Sequence, residues 1–373
     1  MQMGDTAMLS RIAESLYWIG RYVERAEDTA RITDVNYHHT LGMGAAPADE
    51  ERRERQWEAL LAIVGDEQRF RDAYGVASEE TVPSYLTLDV SNPNSIISCV
   101  ALAREQAGTM RHEIASEMWE ALNRFHLRLQ RQRDETPPDA SIDNAHQFYR
   151  SVVEFSHLFQ GVTDSTMPRE EGWYFLQAGK FLERAEKTAR ALDVKFHLLV
   201  NDAGTDVPVS GPRFIAAARE VAFEDVPGDP HQWLAVLRSL SAYEAYHKLY
   251  RSAVRPRSVI EMLILSPVFP RSIRFAIGEV EESLAAIGAY RAYEPGYAGD
   301  VVTHRPASGT TEEAERAVGR MRSQLAYGLV DEIFAGGLHG FLLELQRNCF
   351  RIGEHVQDQY FAPRILRPEE FIA

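Results

Sequence analysis

Apolar residues recur at three- and four-residue steps from Met8 to about Leu41, through Leu9, Ile12, Leu16, Ile19, Val23, Ala26, Ala30 and Tyr37, with no proline in the run. That spacing gathers the apolar side chains on one stripe, so a long amphipathic helix is predicted. Gly42, Gly44 and Pro47 end it, and the charged run from Glu50 to Arg55 reads as a solvated link or the opening of the next helix. The same period predicts helices from Gln56 to Ile63, Ile96 to Arg133, Ala145 to Phe159, Glu170 to Val200, Gln232 to Tyr250, Ser272 to Ile287, Glu312 to Tyr327 and Phe341 to Tyr360. No convincing two-residue alternation competes, so the fold is expected to be all-α. Breaks are expected at Thr136-Pro137-Pro138-Asp139, from Asp202 to Pro212, and at Val226-Pro227-Gly228-Asp229-Pro230. The Gly-, Pro- and Ser-rich stretch at about 294–310 reads as a loop to which no role is assigned.

The pattern is repeated. Gly20-Arg21-Tyr22-Val23-Glu24-Arg25-Ala26-Glu27-Asp28-Thr29-Ala30-Arg31 returns as Gly179-Lys180-Phe181-Leu182-Glu183-Arg184-Ala185-Glu186-Lys187-Thr188-Ala189-Arg190, a constant shift of 159 positions. Pro93, Ser95 and Ile96 likewise correspond to Pro270, Ser272 and Ile273, and Trp57 to Trp233, at shifts of 176 to 177. The chain is therefore expected to form one domain over 1–373, a helical bundle of two duplicated units with pseudo-twofold symmetry. The units span about 8–129 and 167–287, and C-terminal helices follow at about 311–361.

Composition narrows the function. With 40 Lys+Arg against 55 Asp+Glu the formal charge is −15, which argues against sequence-independent binding to nucleic acid or to an anionic membrane. Cys99 and Cys349 are too few for a disulfide framework or a thiolate zinc site, and a cytoplasmic location is expected. No apolar run is long enough to span a bilayer, and the opening Met1-Gln2-Met3-Gly4-Asp5 has neither the basic start nor the apolar core of a signal peptide.

Candidate chemistry centres on the repeated Glu-Arg pairs. Arg25 shares a helix stripe with Trp18, Tyr22, Thr29 and Ile32, while Arg184 lies between Phe181 and Thr188, so both guanidiniums project from largely apolar faces. A buried Arg needs a carboxylate, and the symmetric solution pairs Glu24 with Arg184 and Glu183 with Arg25. These pairs either fix the register of two helices or line a cleft that reads a carboxylate or phosphate. Glu27 with Arg31 and Glu186 with Arg190 read as helix-surface pairs four residues apart. Asn92-Pro93-Asn94-Ser95 reads as an N-cap followed by proline at the first helical position, and Phe269-Pro270-Arg271-Ser272 is its counterpart. Helix starts collect anions, which makes Asn94, Ser95, Arg271, Ser272 and Arg274 candidate anion- or substrate-binding residues.

Glu154-x-x-His157 and Glu244-x-x-His247 have the spacing used in di-metal bundles, but they fall at non-equivalent places in the repeat, and no metal ligands are assigned. His38, His39 and His197 read as helix-terminal cations or packing groups. Trp57, Trp119, Trp173 and Trp233 are expected in the core. No phosphate-binding glycine loop, dinucleotide fingerprint, nucleophile elbow or zinc cluster is present in the sequence, which disfavours a self-sufficient enzyme of a common class.

The residues carry a resemblance. Met8-Leu9-Ser10-Arg11, Glu14-Ser15-Leu16-Tyr17-Trp18, Gly20 to Glu27, Asn92-Pro93-Asn94-Ser95-Ile96, Trp119-Glu120-Ala121-Leu122-Asn123, Leu182-Glu183-Arg184-Ala185 and Phe269-Pro270-Arg271-Ser272 resemble the bacterial alpha-E family, an α-helical domain defined by a Glu-Arg motif. The likeness runs from Met8 onward, and residues 1–7 read as an extension or an alternative start. It implies a setting beside a circularly permuted ATP-grasp protein, often with a transglutaminase-like protein. The chain is then expected to be an accessory or substrate-positioning subunit in ATP-driven amide-bond formation on peptides. ATP and Mg are expected on that partner, and this chain is expected to carry no cofactor. Two alternatives stand beside this reading: an enzyme acting on a peptide or amine through the Glu/Arg centre, and a di-metal bundle.

Overall fold

The computed structural model describes residues 3–41, 47–136, 144–202, 230–291 and 313–361. The expected loops within 203–229 and at 294–310, and the side chain of His197, lie outside the described residues. The described chain is helical, with no strand among these residues: α1 (Met3–Leu41), α2 (Pro47–Val64), α3 (Glu67–Tyr74), α4 (Thr81–Thr87), α5 (Ile96–Thr109), α6 (Ser116–Glu135), α7 (Ala145–Thr166) and α8 (Glu171–Asp202). There follow α9 (Pro230–Ser239), α10 (Tyr243–Tyr250), α11 (Pro256–Leu265), α12 (Ile273–Arg291), α13 (Glu313–Tyr327), α14 (Val330–Gly336), α15 (Leu338–Val356) and a closing π-turn (Gln357–Phe361).

The two longest helices, α1 and α8, pack along each other at the centre; α5 and α7 lie against α1, and α12 and α15 against α8. The contact is close because the facing residues are small. Ala26 and Ala30 of α1 and Ala185 and Ala189 of α8 are buried. Gly20 and Gly179 bring the backbones nearer still: a Cβ at Gly20 would stand 2.2 Å from the carbonyl oxygen of Leu176, and one at Gly179 would stand 2.0 Å from that of Tyr17. Around this axis Leu16, Ile19, Phe175, Leu182, Ile273, Leu342 and Leu345 join one continuous core.

Several expectations are corrected. The run from Ile96 to Arg133 is two helices, broken between Thr109 and Ser116, where Met110 and Ile114 turn into the core. The run from Gln232 to Tyr250 is also two, parted at Ser241 with φ 51°. Pro47 opens α2 rather than only ending α1, as proline can at a first helical position, and of the two readings of Glu50 to Arg55 the opening of the next helix is the one observed. Helices α3, α4, α11 and α14 come from stretches given no element, and residues 3–7 continue α1. Trp57 and Trp233 are buried, whereas Trp119 and Trp173 are only partly covered. Their exposed faces carry guanidiniums, Arg104 and Arg111 at 5.3 and 4.7 Å on Trp119 and Arg169 at 3.9 Å on Trp173.

Candidate functional site

Helical geometry places Glu24 and Arg25 of α1 opposite Glu183 and Arg184 of α8, and the pairs close reciprocally. Arg184 donates from Nε and Nη2 to the two oxygens of Glu24 at 2.6 and 2.7 Å. Arg25 donates from Nε and Nη2 to Glu183 at 2.7 and 3.0 Å. Each is a fork-on-carboxylate contact, the geometry that holds two helices in one register.

Further charges surround these pairs. Arg21 donates to Glu183 at 2.7 Å and to Glu186 at 2.9 Å. Arg271 donates to Asp28 at 2.7 Å, to Glu24 at 3.3 Å and to Glu27. Glu27 also accepts from Arg31 at 2.7 and 2.9 Å and from the Ser156 hydroxyl at 2.6 Å. Glu24, Glu27 and Glu183 are all 0% exposed. The reading of Glu27–Arg31 and Glu186–Arg190 as surface pairs is therefore corrected: Glu27 is buried beneath α7, and Glu186 turns one oxygen to Arg21. Helix spacing alone could not reveal this, because α7 and the start of α12 decide which face of α1 is covered.

Burial alone would raise the Glu183 carboxyl, but Arg25 and Arg21 overcome it and hold the group well below its ordinary range. Glu27 is likewise held low: burial would raise it, but Arg271, His157, Arg31 and Ser156 together overcome it. Asp28 goes the other way: burial and the neighbouring Glu24 carboxylate push it up to about 7 against the pull of Arg271. Lys180, which stands in the repeat where Arg21 stands, is brought down to about 8 by burial and by Arg184, and its ammonium rests 4.4 Å from the Phe181 ring.

The candidate anion-binding residues are engaged within the protein. Ser95 and Ser272, not Asn92, cap their helices: the Ser95 hydroxyl accepts from the Ser98 amide at 3.3 Å, and the Ser272 hydroxyl from Phe275 at 3.1 Å. Asn92 instead accepts from the Asn94 amide at 2.8 Å. Asn94 accepts from Arg25 at 2.9 Å and donates to Asp66 at 3.1 Å. Arg271 is spent on three carboxylates, and Arg274 donates to the Leu265 carbonyl at 3.3 Å. These groups are brought to the Glu/Arg centre or to its flanks as structural partners.

The carboxylates of the centre, Glu24, Glu27 and Glu183, are buried from solvent. The space beside Glu24, bordered by Gln160 and Lys180, measures about 10 Å³, at the lower limit for one water molecule. A far larger opening, about 650 Å³, lies toward the N-terminal part of α1. Ile12, Leu16, Met167 and Phe175 form its apolar walls, and Glu113, Glu170 and Glu171 line it with carboxylates. No local pattern along the chain marks it, since its walls come from three separate segments.

The two Glu-x-x-His pairs do not form a metal centre. Glu154 pairs with Arg150 at 3.0 Å and His157 approaches Glu27 at 3.5 Å, while His247 packs its ring on Tyr243 in α10. Among the described residues, the His/Cys/Asp/Glu group with convergent ligand atoms is instead Asp34, His38 and His146.

Comparison with known proteins adds context. Residues 8–361 match the family Alpha-E, a predicted alpha-helical domain with a conserved ER motif. An uncharacterized protein of Mycobacterium bovis and two of Mycobacterium tuberculosis are each 26% identical over 188 residues, 47% of this chain and 21% of theirs. The chain thus spans about a fifth of the length of these curated relatives. No solved structure matches it.

Proposed function

This chain belongs to the alpha-E family, and on that premise we propose that it is a non-catalytic positioning subunit for an ATP-grasp ligase that forms amide bonds on peptides. The observation that carries the reading is the burial of the Glu/Arg centre. Glu24 and Glu183 are both 0% exposed, and each oxygen of both accepts from at least one guanidinium, which leaves them poorly placed to take a proton from a substrate. A general acid or base must come within hydrogen-bond reach of the proton it transfers. The alternative in which these glutamates act directly on a peptide or amine loses its support. A di-metal bundle built on the Glu-x-x-His pairs loses its support in the same way.

The acidic, apolar-walled opening bounded by Ile12, Leu16, Trp173, Glu113, Glu170 and Glu171 is the part of the surface suited to the work. Its volume and mixed lining fit a peptide or amine that buries an apolar side chain and leaves a cationic end near carboxylates. The shortness of the match relative to its relatives supports a module that works with other protein parts. ATP and Mg belong on the ligase; the transglutaminase-like protein is a second partner of the same pathway, and the setting is cytoplasmic. In support of that setting, Cys99 and Cys349 are both free and buried, and no helix among the described residues is long and apolar enough to cross a membrane.

The test compares ATP turnover and amide products, by mass spectrometry, for this chain alone, the ATP-grasp protein alone and the mixture, with amino-acid and peptide acceptors. Product formed or strongly accelerated only in the mixture is the expected result. Transformation of an acceptor by this chain alone would overturn the proposal.

A further inference from the structure

Helices α1 and α7 lie side by side and bring together three groups from distant parts of the chain. Asp34 and His38 stand four residues apart near the end of α1, on one face; His146 stands in the first turn of α7. His146 Nδ1 lies 3.0 Å from both oxygens of Asp34 and 3.2 Å from His38 Nε2, and His38 Nε2 lies 3.6 Å from Asp34 Oδ1. One ligand atom from each residue lies within 4.8 Å of the other two.

His146 Nδ1 faces the Asp34 carboxylate and His38 Nε2 at once, so a single proton on it is shared among several acceptors rather than aimed at one. A cation among the three would use the lone pairs of all of them. Bonds of 2.0–2.1 Å to a first-row ion place neighbouring ligand atoms about 2.9 Å apart in octahedral and about 3.4 Å apart in tetrahedral geometry. The observed 3.0, 3.2 and 3.6 Å edges span that range within a few tenths of an ångström.

We propose that Asp34, His38 and His146 form a binding site for a borderline transition-metal ion, Zn²⁺ foremost, with its remaining positions open to water or a ligand. Two imidazoles and one carboxylate suit Zn²⁺, Co²⁺ or Ni²⁺, whereas Mg²⁺ and Ca²⁺ want a shell of oxygens. The rings are about half exposed, 54% for His38 and 55% for His146, so an ion reaches them from solvent, while Asp34 at 19% is held by its surroundings. Binding would also tie the end of α1 to the start of α7, where Asn144 adopts a left-handed conformation and provides no side-chain cap. The inference is independent of the ligase reading.

The experiment uses the full chain, free of any affinity tag and stripped of metal, titrated with Co²⁺ by visible absorption and with Zn²⁺ by calorimetry. One ion per chain is expected, with a Co²⁺ ligand-field band, no competition from millimolar Mg²⁺, and a rise in melting temperature on adding Zn²⁺. His146→Ala and Asp34→Asn should each weaken Zn²⁺ binding at least tenfold and abolish the thermal shift, whereas His247→Ala, at an exposed ring on α10, should leave both unchanged. Circular dichroism of these surface variants checks that the fold is retained. Absence of the band, displacement by Mg²⁺, or equal affinity in wild type, His146→Ala and Asp34→Asn would overturn the proposal.

Discussion

Glu183 divides its two oxygens between Arg25 and Arg21, with Lys187 at 3.9 Å, and is the most heavily contacted carboxylate of the α8 side. Glu183→Gln leaves these cations buried without a full counter-charge, so a loss of about 3–5 kcal/mol is expected, measured as a lower midpoint of chemical denaturation. Because its folded carboxyl titrates below the ordinary range, the stability it contributes is present above about pH 4.3 and is lost as pH falls further. Asp28 has the opposite sign. It keeps its proton in the folded state up to about pH 7, whereas the unfolded carboxyl releases it near pH 4, so its contribution is full at low pH and declines as pH rises between these values. Asp28→Asn mimics the neutral form, and its melting temperature relative to wild type should climb from pH 4.5 to pH 7.5; a flat or falling difference would contradict the assignment. The reciprocal pairs were legible in the sequence, since a repeat at constant shift puts equivalent Glu and Arg on facing stripes. Arg21, Glu27 and Asp28 were not, because their roles depend on Arg271 arriving from the start of α12 and Ser156 from α7.

Helices of five turns or more announce themselves by their period, and α1, α7, α8 and α12 were all visible in this way. Helices α3, α4, α11 and α14 were not. Seven to ten residues give too few turns to show a period, and proline sits in the first turn of α4 (Pro83) and at the start of α11 (Pro256), where it is tolerated. The tight seam between α1 and α8 was present as Gly20 and Gly179, but a helical glycine acquires meaning only when the opposing backbone is known. Gly179→Ala must push against the Tyr17 carbonyl, and Gly20→Ala against that of Leu176. Each is expected to destabilise by about 1–3 kcal/mol, although alanine is the better helix former by about 1 kcal/mol in an open helix. Gly161→Ala in α7, where a Cβ meets nothing within 4 Å, is the control and should be neutral or stabilising in the same thermal melt.

At the scale of the whole molecule, buried ion pairs hold the centre while the accessible chemistry lies at the periphery, in the acidic opening near α1 and at Asp34, His38 and His146. Neither peripheral feature could be read along the chain: the opening gathers residues 12–16, 112–115 and 167–175, and His146 is 108 positions from His38. If the opening receives the acceptor, Glu113→Gln with Glu170→Gln should raise KM for cationic acceptors in the mixture with the ligase while leaving the rate at saturating acceptor nearly unchanged. In the proposed role the Glu/Arg centre builds the scaffold and takes no part in a reaction. The most direct test is to record melting curves and amide-product formation side by side for wild type, Glu24→Gln and Glu183→Gln, in the mixture with the ATP-grasp protein and below the variants' melting points. A marked fall in melting temperature is expected for both variants, with product formation per folded molecule retained; an unchanged melting temperature with product formation abolished would make the two glutamates reactive groups instead.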